Sequence, residues 1–134
     1  MTDEELVAAA WRARDFARAT YSKFSVGAAL LTDTGDVVTG ANVESSSYGL
    51  SMCAERVALF SALANGQTGF TRLAIAAESP LPPYPCGACL QLLSDYADGL
   101  VILLSRSPSK FISKPLGEFL PYPFRDSHFA IPHP

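Results

Sequence analysis

No apolar run in this chain approaches the ~20 residues that a bilayer-spanning helix needs. Each run is cut short by Gly, Ser, Asp or Pro, so no membrane role is expected. The N-terminal Met1-Thr2-Asp3-Glu4-Glu5 is acidic and lacks the basic start and apolar stretch of a secretory signal. A cytoplasmic location is the expectation. Basic residues are few, ten Lys and Arg against 13 Asp and Glu, for a net charge of -3. Without a basic stripe nothing grips a phosphate backbone, which disfavours a nucleic-acid polymer and favours a small-molecule substrate. Cysteine is scarce too: there are three, which cannot all pair within one chain. Histidine is scarcer. His128 and His133 both stand in a proline-rich tail, where a solvated surface role is the ordinary one.

What is present can fill a core. The 134 residues fit a single domain, 1–134, and 49% hydrophobic against 17% charged argues against disorder. Thr2 and Glu5 have capping-box spacing, and Leu6, Ala9, Ala13, Phe16 and Ala17 recur at three- or four-residue intervals, predicting a helix over 3–19. Residues 24–31 and 37–43 are β-compatible and flank the turn residues Asp33-Thr34-Gly35-Asp36, which predicts a hairpin. Ser45 to Gly49 reads as a loop. A second helix is expected over 53–64, with Val57, Ala58, Phe60, Ala62 and Leu63 for burial and Asn65-Gly66 as its stop. Then come an apolar strand at 73–77 and a loop with Pro80, Pro82, Pro83 and Pro85. A helix follows at 87–96, with Leu90, Leu92, Leu93 and Tyr96 for burial, and another apolar strand at 100–104. A weak strand near 110–113 and a helical turn near 116–120 precede Pro121, Pro123, Pro132 and Pro134. That order implies one mixed sheet with helices on both faces.

The chemistry concentrates in two short segments. In Cys86-Gly87-Ala88-Cys89 two thiols stand three positions apart, close enough to reach one ion from a helix start. Pro85 sets a helix entry and Gly87 permits close backbone approach. A helix N-terminus also favours thiolate over thiol. By itself the pair fits a redox couple or half of a structural zinc site. Cys53 changes the balance. A closed structural site takes four protein ligands, whereas three sulfurs leave one position open, the mark of a catalytic zinc. Glu55, two residues beyond Cys53, is placed to approach that open position; its bland alternative is a first-turn carboxylate favoured by the helix dipole.

Cys53-Ala54-Glu55-Arg56 and Pro85-Cys86-Gly87-Ala88-Cys89 together resemble the small homotetrameric cytidine deaminases in their three-cysteine form. The resemblance extends over nearly the whole chain and takes in residues 21–30 and Gly40-Ala41-Asn42-Val43-Glu44. It implies a three-layer α/β/α fold with a mixed five-stranded sheet, one zinc ion per subunit on Cys53, Cys86 and Cys89, and Glu55 as the proton carrier. Arg56 would hydrogen-bond to ligand sulfur and offset its negative charge. Phe24 would stack on the base, Asn42 and Glu44 would bind the ribose, and the Ala54 N–H and Tyr84 carbonyl would meet the pyrimidine edge. Tyr48 and Phe124 would reach a neighbouring subunit's site in a homotetramer. The implied activity is hydrolytic deamination of cytidine and 2'-deoxycytidine in pyrimidine salvage.

Three positions depart from the family's usual residues: Ala41 stands for Cys, Ser45 for Asn and Leu90 for Arg. None removes a ligand or the glutamate, so they bear on substrate preference, with modified cytidines as further candidates, and on subunit packing. Deamination of an aminopyrimidine antibiotic such as blasticidin S is the rival enzyme reading, against which the ribose-type pair Asn42 and Glu44 argues. A non-catalytic zinc-stabilised binding module is a third reading; it leaves Glu55 without a purpose.

Overall fold

The computed structural model describes residues 1–129. Pro132, His133 and Pro134 lie outside the described residues, and of His128 the backbone alone is described. In chain order the elements are α1 (Asp3–Arg14), β1 (Gly27–Thr32), β2 (Val37–Ala41), α2 (Ala54–Ala64), β3 (Phe70–Ala76), α3 (Gly87–Tyr96), β4 (Val101–Ser107), β5 (Lys110–Pro115) and α4 (Leu116–Phe119). Short 3-10 turns occupy Tyr48–Leu50 and Asp126–Phe129.

The five strands form one sheet in the order β2-β1-β3-β4-β5. β1 pairs antiparallel with both β2 and β3, β3 runs parallel to β4, and β5 closes the edge antiparallel to β4. The parallel pair is possible because α3 carries the chain back across one face. The two faces differ in side-chain size. Leu30, Leu73, Ile75, Ile102 and Leu104 point towards α2 and α3, where Ala58, Leu59, Leu90 and Leu93 complete the core. On the other face the small residues Ala29, Ala74 and Ala76 let α1 lie close, through Leu6, Val7 and Ala10. A Cβ on Gly27 would stand 2.0 Å from the Ala10 carbonyl oxygen, so that approach requires glycine. This is the mixed three-layer arrangement that the element order implied.

The Thr2–Glu5 capping box is formed, with Glu5 N–H donating to Thr2 Oγ1 at 3.1 Å. α1 nevertheless ends at Arg14, five residues before the expected stop. There the N–H groups of Asp15, Phe16 and Ala17 shift to carbonyls three residues back, which tightens and ends the helix. Arg18 then pairs with Val43. Phe16 keeps the helical spacing but is 78% exposed, because the backbone has already turned. Phe60 and Tyr96 are likewise more exposed than the periodicity implied, and Leu59 fills the core beside Phe60. α3 begins and ends at the expected residues.

Candidate active site

Two helix N-termini meet at one point. Cys53 is the N-cap of α2 and Cys86 the N-cap of α3, both in extended backbone conformation. A Cys86 sulfur accepts a hydrogen bond from the Cys89 N–H at 3.4 Å, a sulfur version of the usual hydroxyl or carboxylate cap. What lets α2 sit deep enough is Gly40 on β2: a Cβ there would lie 2.5 Å from Ala58 N and 2.6 Å from the Ala54 oxygen.

The Sγ atoms of Cys53, Cys86 and Cys89 all lie within 4.8 Å of one another, and those of Cys86 and Cys89 are 3.3 Å apart. No disulfide joins them. Among the described residues the cluster holds no histidine or carboxylate. Three convergent soft donors fit a zinc ion with one position left open. Arg56 leans over the cluster and donates from Nη2 to the Cys53 sulfur at 3.4 Å, while its Nε is buried without a partner. A hydrogen bond from Cys89 and then Arg56 draw the Cys53 thiol down to about 5, against the effect of burial. The same sulfur–sulfur hydrogen bond holds the Cys89 thiol well above its ordinary value. Arg56 is held more firmly protonated by its bond to Cys53.

Glu55, on the first turn of α2, is 6% exposed. Burial pushes its carboxyl up to about 7, with the negative Cys53 sulfur adding to the shift. A carboxyl poised near neutrality can both take and give a proton.

Beside the sulfurs opens a cleft of about 420 Å³ whose walls include Phe24, Asn42, Glu44, Ala54, Glu55 and Tyr84. Phe24 is 42% exposed and so is not ordinary core. Asn42 is buried and braces the cleft wall. Its Nδ2 donates to the Phe24 carbonyl at 2.9 Å and to Glu44 at 3.3 Å, and its Oδ1 accepts from the Val26 N–H at 2.9 Å. Glu44 accepts from the backbone N–H groups of Tyr21 and Ser22, each at 2.9 Å, and from the Ser22 hydroxyl. Those bonds, the Ser22 hydroxyl first, hold the carboxyl below its usual range. Ser22 carried no role in the sequence reading. The usable signal was a serine two residues before an aromatic, the spacing of a serine turn closed here by Phe24 N–H donating to Ser22 Oγ at 3.0 Å.

Tyr48 and Phe124 stand apart from this cleft. Tyr48 is 75% exposed and lines a neighbouring hollow with Tyr21 and Ser51. Phe124 lies on the tail, where its backbone exchanges hydrogen bonds with the Gln91 side chain. Of the three departures, Leu90 is buried with Leu93 in the core under α3, a place for an apolar side chain. Ala41 is buried at the end of β2. Ser45 is tied into its loop, its N–H donating to Ser51 Oγ and its Oγ accepting from Ser47 N–H.

Residues 1–105 match the cytidine and deoxycytidylate deaminase zinc-binding region. The chain belongs to that deaminase family. The deaminase is 43% identical over 99 residues to cytidine deaminase of Sporosarcina psychrophila, covering 74% of this chain and 73% of that one. Its fold is similar to that of a crystal structure of cytidine deaminase from Burkholderia pseudomallei. There the TM-score is 0.89 at 44% identity, with 92% of this chain and 100% of the other covered. Blasticidin-S deaminase of Bacillus cereus is a more distant relative of the deaminase, 31% identical over 109 residues, with 75% of this chain and 76% of that one covered.

Proposed function

We propose that this deaminase hydrolyses the 4-amino group of cytidine and 2'-deoxycytidine, giving the uridine products and ammonia. One observation carries the reading: a single cleft joins Cys53 and Cys86 of the three-sulfur cluster, the buried Glu55 carboxyl, the Phe24 ring and the Glu44 carboxylate. Cys53, Cys86 and Cys89 would hold the zinc. When bound, zinc makes a water acidic enough to serve as a nucleophile near neutral pH.

The chain's own residues do the rest. Phe24 stacks on the base, and the Ala54 N–H and Tyr84 carbonyl engage the pyrimidine edge, so that C4 lies towards the cluster. Glu55 takes a proton from the attacking water and places it on ring N3. A C4–O bond forms. Glu55 then carries the next proton to the amino nitrogen, the C4–N bond breaks, and ammonia leaves as the new carbonyl forms. Glu44, with Asn42 behind it, accepts from sugar hydroxyls. Arg56 offsets the charge of the sulfurs.

Glu55→Gln is the test. We expect it to retain stoichiometric zinc and to lose at least about a thousandfold in kcat, as loss of a proton carrier and its buried charge would produce. Full zinc content with wild-type turnover would remove Glu55 from the chemistry. Ammonia release from cytidine, deoxycytidine, cytosine and blasticidin S, followed side by side, tests the substrate assignment; exclusive turnover of the antibiotic would overturn it.

The functional unit we propose is a homotetramer. The exposed Tyr48 and Phe124 aromatics would complete a neighbour's cleft. Light scattering should give four subunits, and a fully active monomer would contradict the assignment. Three unpaired thiols suit a reducing cytoplasm, and pyrimidine salvage is the setting that fits the reaction.

A further inference from the structure

Glu44 receives four hydrogen bonds. Oε1 accepts from the N–H groups of Tyr21 and Ser22, and Oε2 accepts from Asn42 Nδ2 and the Ser22 hydroxyl. An ionised carboxylate offers about four lone-pair sites, so Glu44 is fully occupied before any sugar arrives. An incoming hydroxyl must take the place of one donor. Two of the four are backbone groups. The third, the Asn42 amide, is fixed by its bonds to the Phe24 carbonyl and the Val26 N–H. Only the Ser22 O–H can turn away about its own C–O bond without moving a heavy atom. Its oxygen meanwhile stays in place as the acceptor of the Phe24 N–H at 3.0 Å.

Ser22 therefore bridges the two sides of the cleft. One atom, its Oγ, is bonded both to the carboxylate assigned to the sugar and to the main chain of the aromatic assigned to the base. We propose that Ser22 is a substrate-positioning residue: its hydroxyl holds Glu44 and Phe24 as one preorganised unit and yields its place on Glu44 to a sugar hydroxyl. This rests on the reading of Glu44 as a sugar-binding group. Ser22 touches neither the sulfurs nor Glu55 among its hydrogen-bonding partners, so its contribution falls on binding and not on the chemical step.

The test is steady-state kinetics on zinc-loaded enzyme with cytidine, comparing Ser22→Ala, Ser22→Thr, Glu44→Gln and the double variant Ser22→Ala/Glu44→Gln. Ser22→Ala should raise KM about tenfold, the scale of losing one hydrogen bond to a charged group, and leave kcat within about twofold. Ser22→Thr keeps the hydroxyl and should restore KM to within about twofold. In the Glu44→Gln background, Ser22→Ala should add clearly less than the roughly tenfold it costs alone, because part of its action runs through Glu44. Full additivity, an unchanged KM in Ser22→Ala, or a loss in kcat alone would overturn the role of Ser22 while leaving the sugar assignment standing. An unchanged KM in Glu44→Gln would overturn the sugar assignment and the role of Ser22 with it.

Discussion

Gly40→Ala should damage catalysis from a residue that touches no substrate. Gly40 lies on β2 against the first turns of α2, and the added methyl would stand 2.5 Å from Ala58 N and 2.6 Å from the Ala54 oxygen. Ordinary contact begins near 3.4 Å, so the start of α2 must retreat by about 0.9 Å. The displaced turn carries Cys53, Glu55 and Arg56. Overpacking of this kind costs about 1–3 kcal/mol, equivalent to a melting temperature lower by roughly 4–12 °C for a chain of this size. Catalysis should suffer more, because misplacing reacting groups by about 1 Å costs on the order of a hundredfold in rate. The assay is ultraviolet-monitored turnover of cytidine, with thermal melting and zinc content measured on the same sample. Gly117→Ala is the control. Nothing lies within 4 Å of a Cβ at Gly117, so both readouts should stay close to wild type. A Gly40→Ala protein with unchanged kcat/KM and melting temperature would refute the claim that close β2–α2 contact sets the depth of the site.

Other outcomes follow from the same geometry. Arg56→Gln, which removes the donor at 3.4 Å from the Cys53 sulfur, should weaken zinc retention or turnover by about ten- to a hundredfold, read by competition with a chromogenic chelator and by kcat. Chelation should abolish turnover and lower the melting temperature, and added zinc should restore both. At a thousandfold excess of zinc over its Kd, the stabilisation would be about 4 kcal/mol. The folded value of Glu44 is depressed below 4.5, so its carboxylate bonds are fully present above that pH and are lost as pH falls through the lower folded value. KM for cytidine should accordingly not rise as pH falls to 4.5 and should rise only as pH falls through that lower folded value, where stopped assays at short times can follow it.

The chemistry was legible because it is local. Cys53 with Glu55, and Cys86 with Cys89, carry their spacing in a few consecutive residues, and a helix start converts that spacing directly into geometry. α3 was legible for the same reason, with Pro85 to Gly87 opening it and Gly99 following its end. The end of α1 was not. Phe16 and Ala17 continue the apolar period, and only the backbone's change of hydrogen-bonding partners stops the helix. The roles of Asn42 and Ser22 as internal braces were also hidden. They depend on main-chain groups of residues 21–26 being folded back against the end of β2, which no side-chain pattern reports. Gly40 looked like one small residue among several until α2 was in place against it.

Cys86 holds two duties in one atom: it closes the first turn of α3 through the Cys89 N–H, and it is one of the three sulfurs gathered for the ion. A hydroxyl in its place could still close the turn but would be a poor soft ligand, whereas a methyl could do neither. Comparing Cys86→Ser with Cys86→Ala in metal-free protein thus isolates the helix-closing share, about 1 kcal/mol, from everything the ion adds.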